Sequence, residues 1–298
     1  MKIGGVPMKL LHFKRENQIR LGIKTEKGIL DIQSAGQQFN VEVPGTVDEL
    51  IQKSQLSTIK KIVESASQDG FSSLYLQEKD ITFESAVLNP QKILCIGLNY
   101  MNHIEETKDN VPKTPVLFSK FNNALAAHGE KITFPKISKE VDYEAELVIV
   151  IGKEAKNVEE KDALSYVFGY TVGNDFSARD LQFLTGQWLI GKTLDGFAPV
   201  GPYVITAEEI DPNDLKIQSK VNGEIRQDSN TKYMIFNCAT IISYISKHMT
   251  LKPGDIIFTG TPEGVTLGHT KEGKKYLKPR DEIEVTIENI GTLKNNLI

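Results

Sequence analysis

Val141-Asp142-Tyr143-Glu144-Ala145-Glu146-Leu147-Val148-Ile149-Val150-Ile151 decides the reading of this chain. From Leu147 onward apolar residues follow one another without alternation, the mark of a strand covered on both faces. Successive strand side chains point to opposite faces, so Glu144 and Glu146 share the side of Val148 and Val150. Two carboxylates about 7 Å apart at the mouth of a buried strand repel each other and are desolvated. A cation between them relieves both costs. A hard divalent ion, Mg²⁺ or Mn²⁺, suits an all-oxygen set and keeps positions for water or substrate oxygens. Asp175 is placed to be the third ligand, at the end of the strand pattern 169–174, where Ser177 and Asp180 have the spacing of a capping box. On spacing alone the commoner outcome is different: a solvated strand end, with Asp175 only a helix-start acid.

Outward from this segment, strand-like runs recur at 93–96, 116–118, 168–172, 202–205, 256–259 and 283–287, and helical spacing at 158–164, 178–184 and 237–247. The mixture predicts an α+β fold with a sheet-rich core. Residues 9–82 carry alternating strands around the turn Glu26-Lys27-Gly28, then helical spacing over 47–66, which predicts a small α+β N-terminal unit. Pro90 ahead of the run 93–96 sets the boundary, giving units of 1–85 and 86–298. Leu251-Lys252-Pro253-Gly254-Asp255-Ile256 is echoed by Leu277-Lys278-Pro279-Arg280-Asp281-Glu282-Ile283, two proline turns feeding strands but no repeat fold.

At 298 residues, 40% hydrophobic and 25% charged, the chain is long enough for a real core. Lys and Arg number 35 against 39 Asp and Glu, and the net charge of −4 argues against a nucleic-acid partner. The longest apolar runs fall far short of the roughly 18 residues of a membrane span, so no membrane partner is expected. No secretory signal is visible at the start, and Met8 opens a second ordinary start, which makes residues 1–7 read as an extension. Cys95 and Cys238 are too few for a disulfide framework or a cysteine zinc site, which suits a reducing cytoplasm and packing roles.

Three further segments carry chemistry. In Asn99-Tyr100-Met101-Asn102-His103-Ile104-Glu105-Glu106 a helix would put His103 and Glu106 on one face as a general-base dyad; an exposed amphipathic turn is the plainer reading. Gly186-Gln187-Trp188-Leu189-Ile190-Gly191-Lys192-Thr193 satisfies a phosphate-loop pattern letter by letter. Trp188, Leu189 and Ile190 fill that loop with bulk, and Asp195-Gly196-Phe197-Ala198-Pro199 cannot continue the helix it needs, so the phosphate reading is rejected. Lys192 remains either a cation flanked by apolar residues or a surface lysine. Phe258-Thr259-Gly260-Thr261-Pro262-Glu263-Gly264-Val265 runs a strand into a turn whose N–H groups and hydroxyls either hold a carboxylate or merely turn the chain. His12, His128, His248 and His269 have no partner acids at ligand spacing, and neither G-x-S-x-G nor G-x-G-x-x-G occurs.

Taken in order, Ile96-Gly97-Leu98-Asn99-Tyr100 with His103 and Glu106, Asp142-Tyr143-Glu144-Ala145-Glu146-Leu147, Gly169 to Asp175, Ser177-Ala178-Arg179-Asp180-Leu181-Gln182, Gly191-Lys192-Thr193 and Thr259-Gly260-Thr261-Pro262-Glu263-Gly264-Val265 resemble the fumarylacetoacetate hydrolase family. The likeness runs from about Lys92 to the C-terminus. It implies a mixed β-sheet barrel or roll, a homodimer, and Mg²⁺ or Mn²⁺ held by Glu144, Glu146 and Asp175. His103 and Glu106 would form the acid/base dyad on a lid, Lys192 would face the substrate, and Arg179, Gln182 and Thr261 would contact it. Asn102 stands where Asp is frequent in the family, and Thr266 where Gly is.

The expected partner is a small anionic 2-oxo or 1,3-dicarbonyl acid, processed through a metal-bound enolate. Oxaloacetate decarboxylation or tautomerisation and acylpyruvate hydrolysis are the expected reactions. The alternative is isomerisation or decarboxylation of 2-hydroxyhepta-2,4-diene-1,7-dioate, and, from another class, a low-turnover regulatory protein that binds metal and carboxylate.

Overall fold

In the computed structural model, which describes residues 8–270 and 273–298, the strand Ala145–Ile151 is buried at every position. The expectation for residues 1–7 lies outside the described residues. Val148 and Val150 pack into a core with Ile93, Cys95 and Phe258, whereas Leu147, Ile149 and Ile151 pack with Leu94, Ile96 and the helix Cys238–His248. Both faces are thus covered, as an unalternating apolar run requires.

This strand pairs antiparallel with Val167–Asn174 on one side and with Ile256–Phe258 on the other. Beyond Ile256–Phe258 the sheet continues through Ile93–Gly97, parallel to it, and Val116–Lys120, antiparallel again. On the other flank Val167–Asn174 is followed by Ala198–Thr206, then by Lys9–Arg15, Gln18–Thr25 and Gly28–Asp31. The N-terminal residues therefore extend the main sheet edge to edge, through Lys9↔Ile205 and Leu10↔Val204. Leu10, Leu21 and Ile23 share a core with Val148, Val200 and Phe258. The mixed sheet and the short helices give the α+β architecture that the residue pattern predicts.

A second sheet orders Glu224–Asn230, Lys216–Val221, Glu282–Ile287, Gly291–Leu297 and Lys131–Ile132. Of these the apolar pattern reveals only 283–287. The hairpin 216–230 had its own signal in the turn Asn222-Gly223, whose φ values of 52° and 81° are what a tight two-residue hairpin demands.

Helical spacing over 47–66 resolves into two helices, Val47–Lys53 and Leu56–Ser67, separated at Ser54, where φ is 52°. The spacing at 158–164 yields a 3-10 run, Glu160–Tyr166. The one at 178–184 yields a single turn, Arg179–Gln182, and the capping box does not form there. Ser177 Oγ donates to Asp175 O at 2.9 Å, and Asp180 instead accepts from Ser138 Oγ and Lys139 N. Short polar side chains serve such local turns as readily as caps.

The echoed proline turns are one structure used twice. Lys252 N–H donates to Asp255 Oδ2 at 2.8 Å and Lys278 N–H to Asp281 Oδ2 at 2.9 Å, with positive φ at Gly254 and Arg280.

Candidate metal centre and active site

Strand register assembles the acids. Ala145 pairs with Asn174 across the sheet, so the residues just outside that pair, Glu144 and Asp175, face each other at the sheet's end. Asp175 N–H donates to Glu144 O at 2.9 Å and Glu144 N–H to Asn174 Oδ1 at 2.9 Å, which fixes both backbones. Glu146 lies one strand period further in. Glu144, Glu146 and Asp175 are all buried and present carboxylate oxygens within 4.8 Å of one another.

The same space holds buried cations. Lys192 Nζ donates to Glu144 Oε2 at 2.7 Å and to Asp175 Oδ2 at 2.8 Å. Arg179 Nη2 donates to Glu144 Oε1 at 2.6 Å, Nε to Asp142 Oδ2 at 3.0 Å and Nη1 to Gln182 Oε1 at 2.9 Å. Lys120 Nζ lies 2.5 Å from Asp175 Oδ1, outside hydrogen-bond alignment, while it donates to the carbonyls of Phe176 and Phe197. Among the described residues three buried cations thus meet four buried carboxylates, Asp142, Glu144, Glu146 and Asp175, and the one without a cationic partner is Glu146.

Burial, with Asp175 and Glu144 close by, pushes the Glu146 carboxyl well above the usual range. Burial acts on Glu144 in the same sense, yet Lys192 and Arg179 beside it hold its carboxyl well below that range. An uncompensated buried charge is costly unless a further cation arrives. The residues fit a divalent metal: all donors are oxygen, and among the described residues Glu146 has no ion-pair partner and accepts just the N–H of Gly260, at 2.6 Å.

The turn after strand Ile256–Phe258 binds carboxylates belonging to the chain itself. Gly260 N–H holds Glu146, and Gly264 N–H lies 3.0 Å from Glu106 Oε2. Both glycines have φ near 100°, and a Cβ on Gly264 would stand 2.1 Å from Arg226 O. Glu106 in turn accepts from His103 Nδ1 at 2.9 Å, on the helix Met101–Thr107. A carboxylate acceptor places the proton on Nδ1, which leaves Nε2 as a basic nitrogen. Asn102 Nδ2 donates to Glu263 Oε1 at 3.2 Å and gives the helix a second tie to the same turn. Thr266 has no need of glycine's freedom: its φ is not positive, and its N–H binds Asp142 Oδ1 at 2.9 Å.

His103, Glu144, Glu146, Lys192, Arg179, Gln182 and Thr261 all border one cavity of about 90 Å³, closed by Phe118, Trp188 and Leu267. Asp175 lies behind Lys192, and Glu106 behind His103. Two placements go beyond expectation. Arg179 donates to Asp142, Glu144 and Gln182, and the Lys192 ammonium sits between Glu144 and Asp175, so both cations that border the cavity are also paired with its acids. The alternation pattern cannot show this, because these partners are brought in from other elements. A wider cleft of about 570 Å³ opens between Lys14, Phe83, His128 and Glu130, but Lys14 is paired there with Glu84 and, among the described residues, no cluster of three acids faces it.

Residue patterns missed three members of the site. Lys120 ends an apolar strand and carries no motif. Asp142 accepts from Arg179 Nε and from the N–H groups of Thr266 and Leu267. Gln227 comes from the hairpin that the apolar pattern did not reveal, and it binds Ala145 N–H and Thr261.

Among the described residues no helix is long and apolar enough to cross a membrane. Fold and cavity together define an α+β protein with a buried three-carboxylate cluster beside a histidine–glutamate pair. Residues 92–298 match the family model "Fumarylacetoacetate (FAA) hydrolase C-terminal", and the chain belongs to this family. It is 44% identical to a fumarylacetoacetate hydrolase domain-containing protein 2 homolog of Dictyostelium discoideum, over 95% of this chain and 93% of that protein. It is 37% identical to the mitochondrial oxaloacetate tautomerase Fahd2a of Rattus norvegicus, over 98% of this chain and 92% of the relative. The solved fumarylacetoacetate hydrolase of Exiguobacterium antarcticum superposes with a TM-score of 0.80 at 33% identity, covering 97% of this chain and 99% of the other.

Proposed function

We propose that the chain is a divalent-metal-dependent enzyme acting on small 2-oxo or 1,3-dicarbonyl carboxylic acids, with oxaloacetate tautomerisation or decarboxylation and acylpyruvate hydrolysis as its reactions. One observation carries the reading: the three-carboxylate cluster and the His103 imidazole border the same small cavity. Glu144, Glu146 and Asp175 would hold Mg²⁺ or Mn²⁺, which supplies a Lewis acid for adjacent carboxylate and oxo oxygens and stabilises the negative charge that develops on them.

The chain's own groups supply the proton chemistry. His103 Nε2 is the base: for tautomerisation it takes a proton from the carbon between the two carbonyls and returns it to the enol oxygen, and for hydrolysis it takes one from the water that adds to the acyl carbonyl and gives it to the carbon released when the C–C bond breaks. Glu106 holds the ring through Nδ1 and stabilises the imidazolium. Decarboxylation asks less of the dyad, because the bond that breaks releases CO₂ and leaves only a carbon to be protonated. Phe118, Trp188 and Leu267 exclude water and strengthen every charge interaction inside. The name of the rat relative, an oxaloacetate tautomerase, supports the substrate class.

Steady-state assays with Mg²⁺ or Mn²⁺ on oxaloacetate, acetylpyruvate and 2-hydroxyhepta-2,4-diene-1,7-dioate test the reading. Turnover of either of the first two, abolished by EDTA and restored by metal, is the expected result. Preference for the dienedioate points to the alternative reaction. No turnover with retained oxalate binding points to the regulatory class.

A further inference from the structure

Gln227 is 1% exposed, in the strand Glu224–Asn230, and its amide is fully used. Oε1 accepts from Ala145 N–H at 3.0 Å and from Ser219 Oγ at 2.9 Å; Nε2 donates to Thr261 Oγ1 at 2.8 Å and to Pro262 O at 2.8 Å. A side-chain amide has two donor hydrogens and two acceptor lone pairs, and here each has a partner. The orientation is forced, since Ala145 N–H can only donate and Pro262 O can only accept.

A consequence follows for Thr261. Its oxygen accepts from Gln227, and its own hydrogen has no acceptor among the described residues. Thr261 borders the cavity beside Glu144 and Glu146. Ala145, whose N–H Gln227 also holds, lies between those two acids. One buried amide therefore ties down the backbone that spaces the carboxylates and sets the polarity of the hydroxyl opposite them.

We propose that Gln227 is a positioning residue: it locks the Thr261 hydroxyl as a donor, so that the site selects a ligand presenting an acceptor oxygen, carboxylate or carbonyl, at that point. The inference rests on the cavity's reading as a site for a carboxylate-bearing ligand. Replacing the amide by a carboxylate of the same shape turns the polarity round. The Thr261 hydrogen then points at the new acid and is withdrawn from the ligand.

The test uses oxalate as probe, titrated calorimetrically into the Mg²⁺-loaded protein, so that no turnover is needed. Gln227→Glu and Thr261→Val each raise the oxalate Kd about tenfold, the loss of one hydrogen bond to a charged ligand, and Thr261→Ser does not. The double variant Gln227→Glu/Thr261→Val is no weaker than either single one, because both remove the same hydrogen. Oxalate bound by Gln227→Glu with the wild-type Kd, or losses that multiply in the double variant, overturns the proposal. Should Gln227→Glu fail to fold, the contrast between Thr261→Ser and Thr261→Val decides: equal binding by both overturns it. Wild-type protein that binds no oxalate overturns the carboxylate-site reading and this inference together, whereas wild-type binding that Gln227→Glu leaves intact overturns this inference alone.

Discussion

Gly260 donates its backbone N–H to Glu146 Oε2 at 2.6 Å, across 114 residues of chain. It does so from a φ of 100°, where a Cβ would stand 2.7 Å from Asn99 Cβ. Gly260→Ala is therefore expected to be strained twice, by conformation and by contact. A loss of about 1–3 kcal/mol is expected, with weaker Mg²⁺ or Mn²⁺ binding as Glu146 loses its donor. Thermal denaturation together with metal titration checks this, and an unchanged melting temperature would refute it.

Glu146→Gln keeps the shape and the Gly260 hydrogen bond but removes the charge that lacks a cation. Metal affinity is expected to fall by orders of magnitude, while the metal-free protein keeps or gains stability, since burial and two neighbouring acids already disfavour the charged carboxyl. Urea unfolding with and without metal separates the two effects. A variant that binds metal like the wild type removes Glu146 from the site.

His103→Ala is expected to cost about 10²–10⁴-fold in hydrolysis of an acylpyruvate. Oxaloacetate decarboxylation should lose less, because it needs no activated water. Parallel kcat measurements on the two substrates decide; equal losses mean that the imidazole serves as a proton relay common to both. Glu106→Gln should follow His103→Ala in direction, through the 2.9 Å bond that orients the ring.

His12 predicts an acid-sensitive fold. Its buried ring donates from Nδ1 to Ser85 O and accepts Val47 N–H at Nε2, both at 2.8 Å, a pattern open only to neutral imidazole. Burial pushes its pKa below the ordinary value of 6.5, with Asp48 and Glu84 acting the other way. Below that value the unfolded chain takes up a proton that the folded chain refuses, so stability falls as pH drops from about 6.5. Urea midpoints between pH 8 and 5 should show the decline, and His12→Phe should remove much of it. His128, likewise pushed down by burial, keeps a remainder.

Arg280 occupies, at φ 79°, the place that Gly254 fills in the twin turn at φ 89°. Arg280→Gly is expected to stabilise the protein by about 0.5–1 kcal/mol through relief of the left-handed strain. A lower melting temperature than the wild type would contradict this.

The sequence by itself determined the central strand, since an unalternating apolar run has no other stable setting than a doubly covered sheet, and period two put Glu144 and Glu146 on one face. It also determined the order of the motif segments, which carries the family. The polar hairpin 216–230 stayed hidden to an apolar reading, although Asn222-Gly223 marked its turn. Only the tertiary structure decided that Asp175 stands across from Glu144, through the Ala145↔Asn174 register, and that Lys192 and Arg179 are engaged by acids. The same holds for the carboxylates on the N–H groups of Gly260 and Gly264, and for the buried amide of Gln227 behind Thr261. Local periodicity records which face a side chain occupies. Which charges and hydrogen bonds meet it there depends on strands and turns more than 100 residues away.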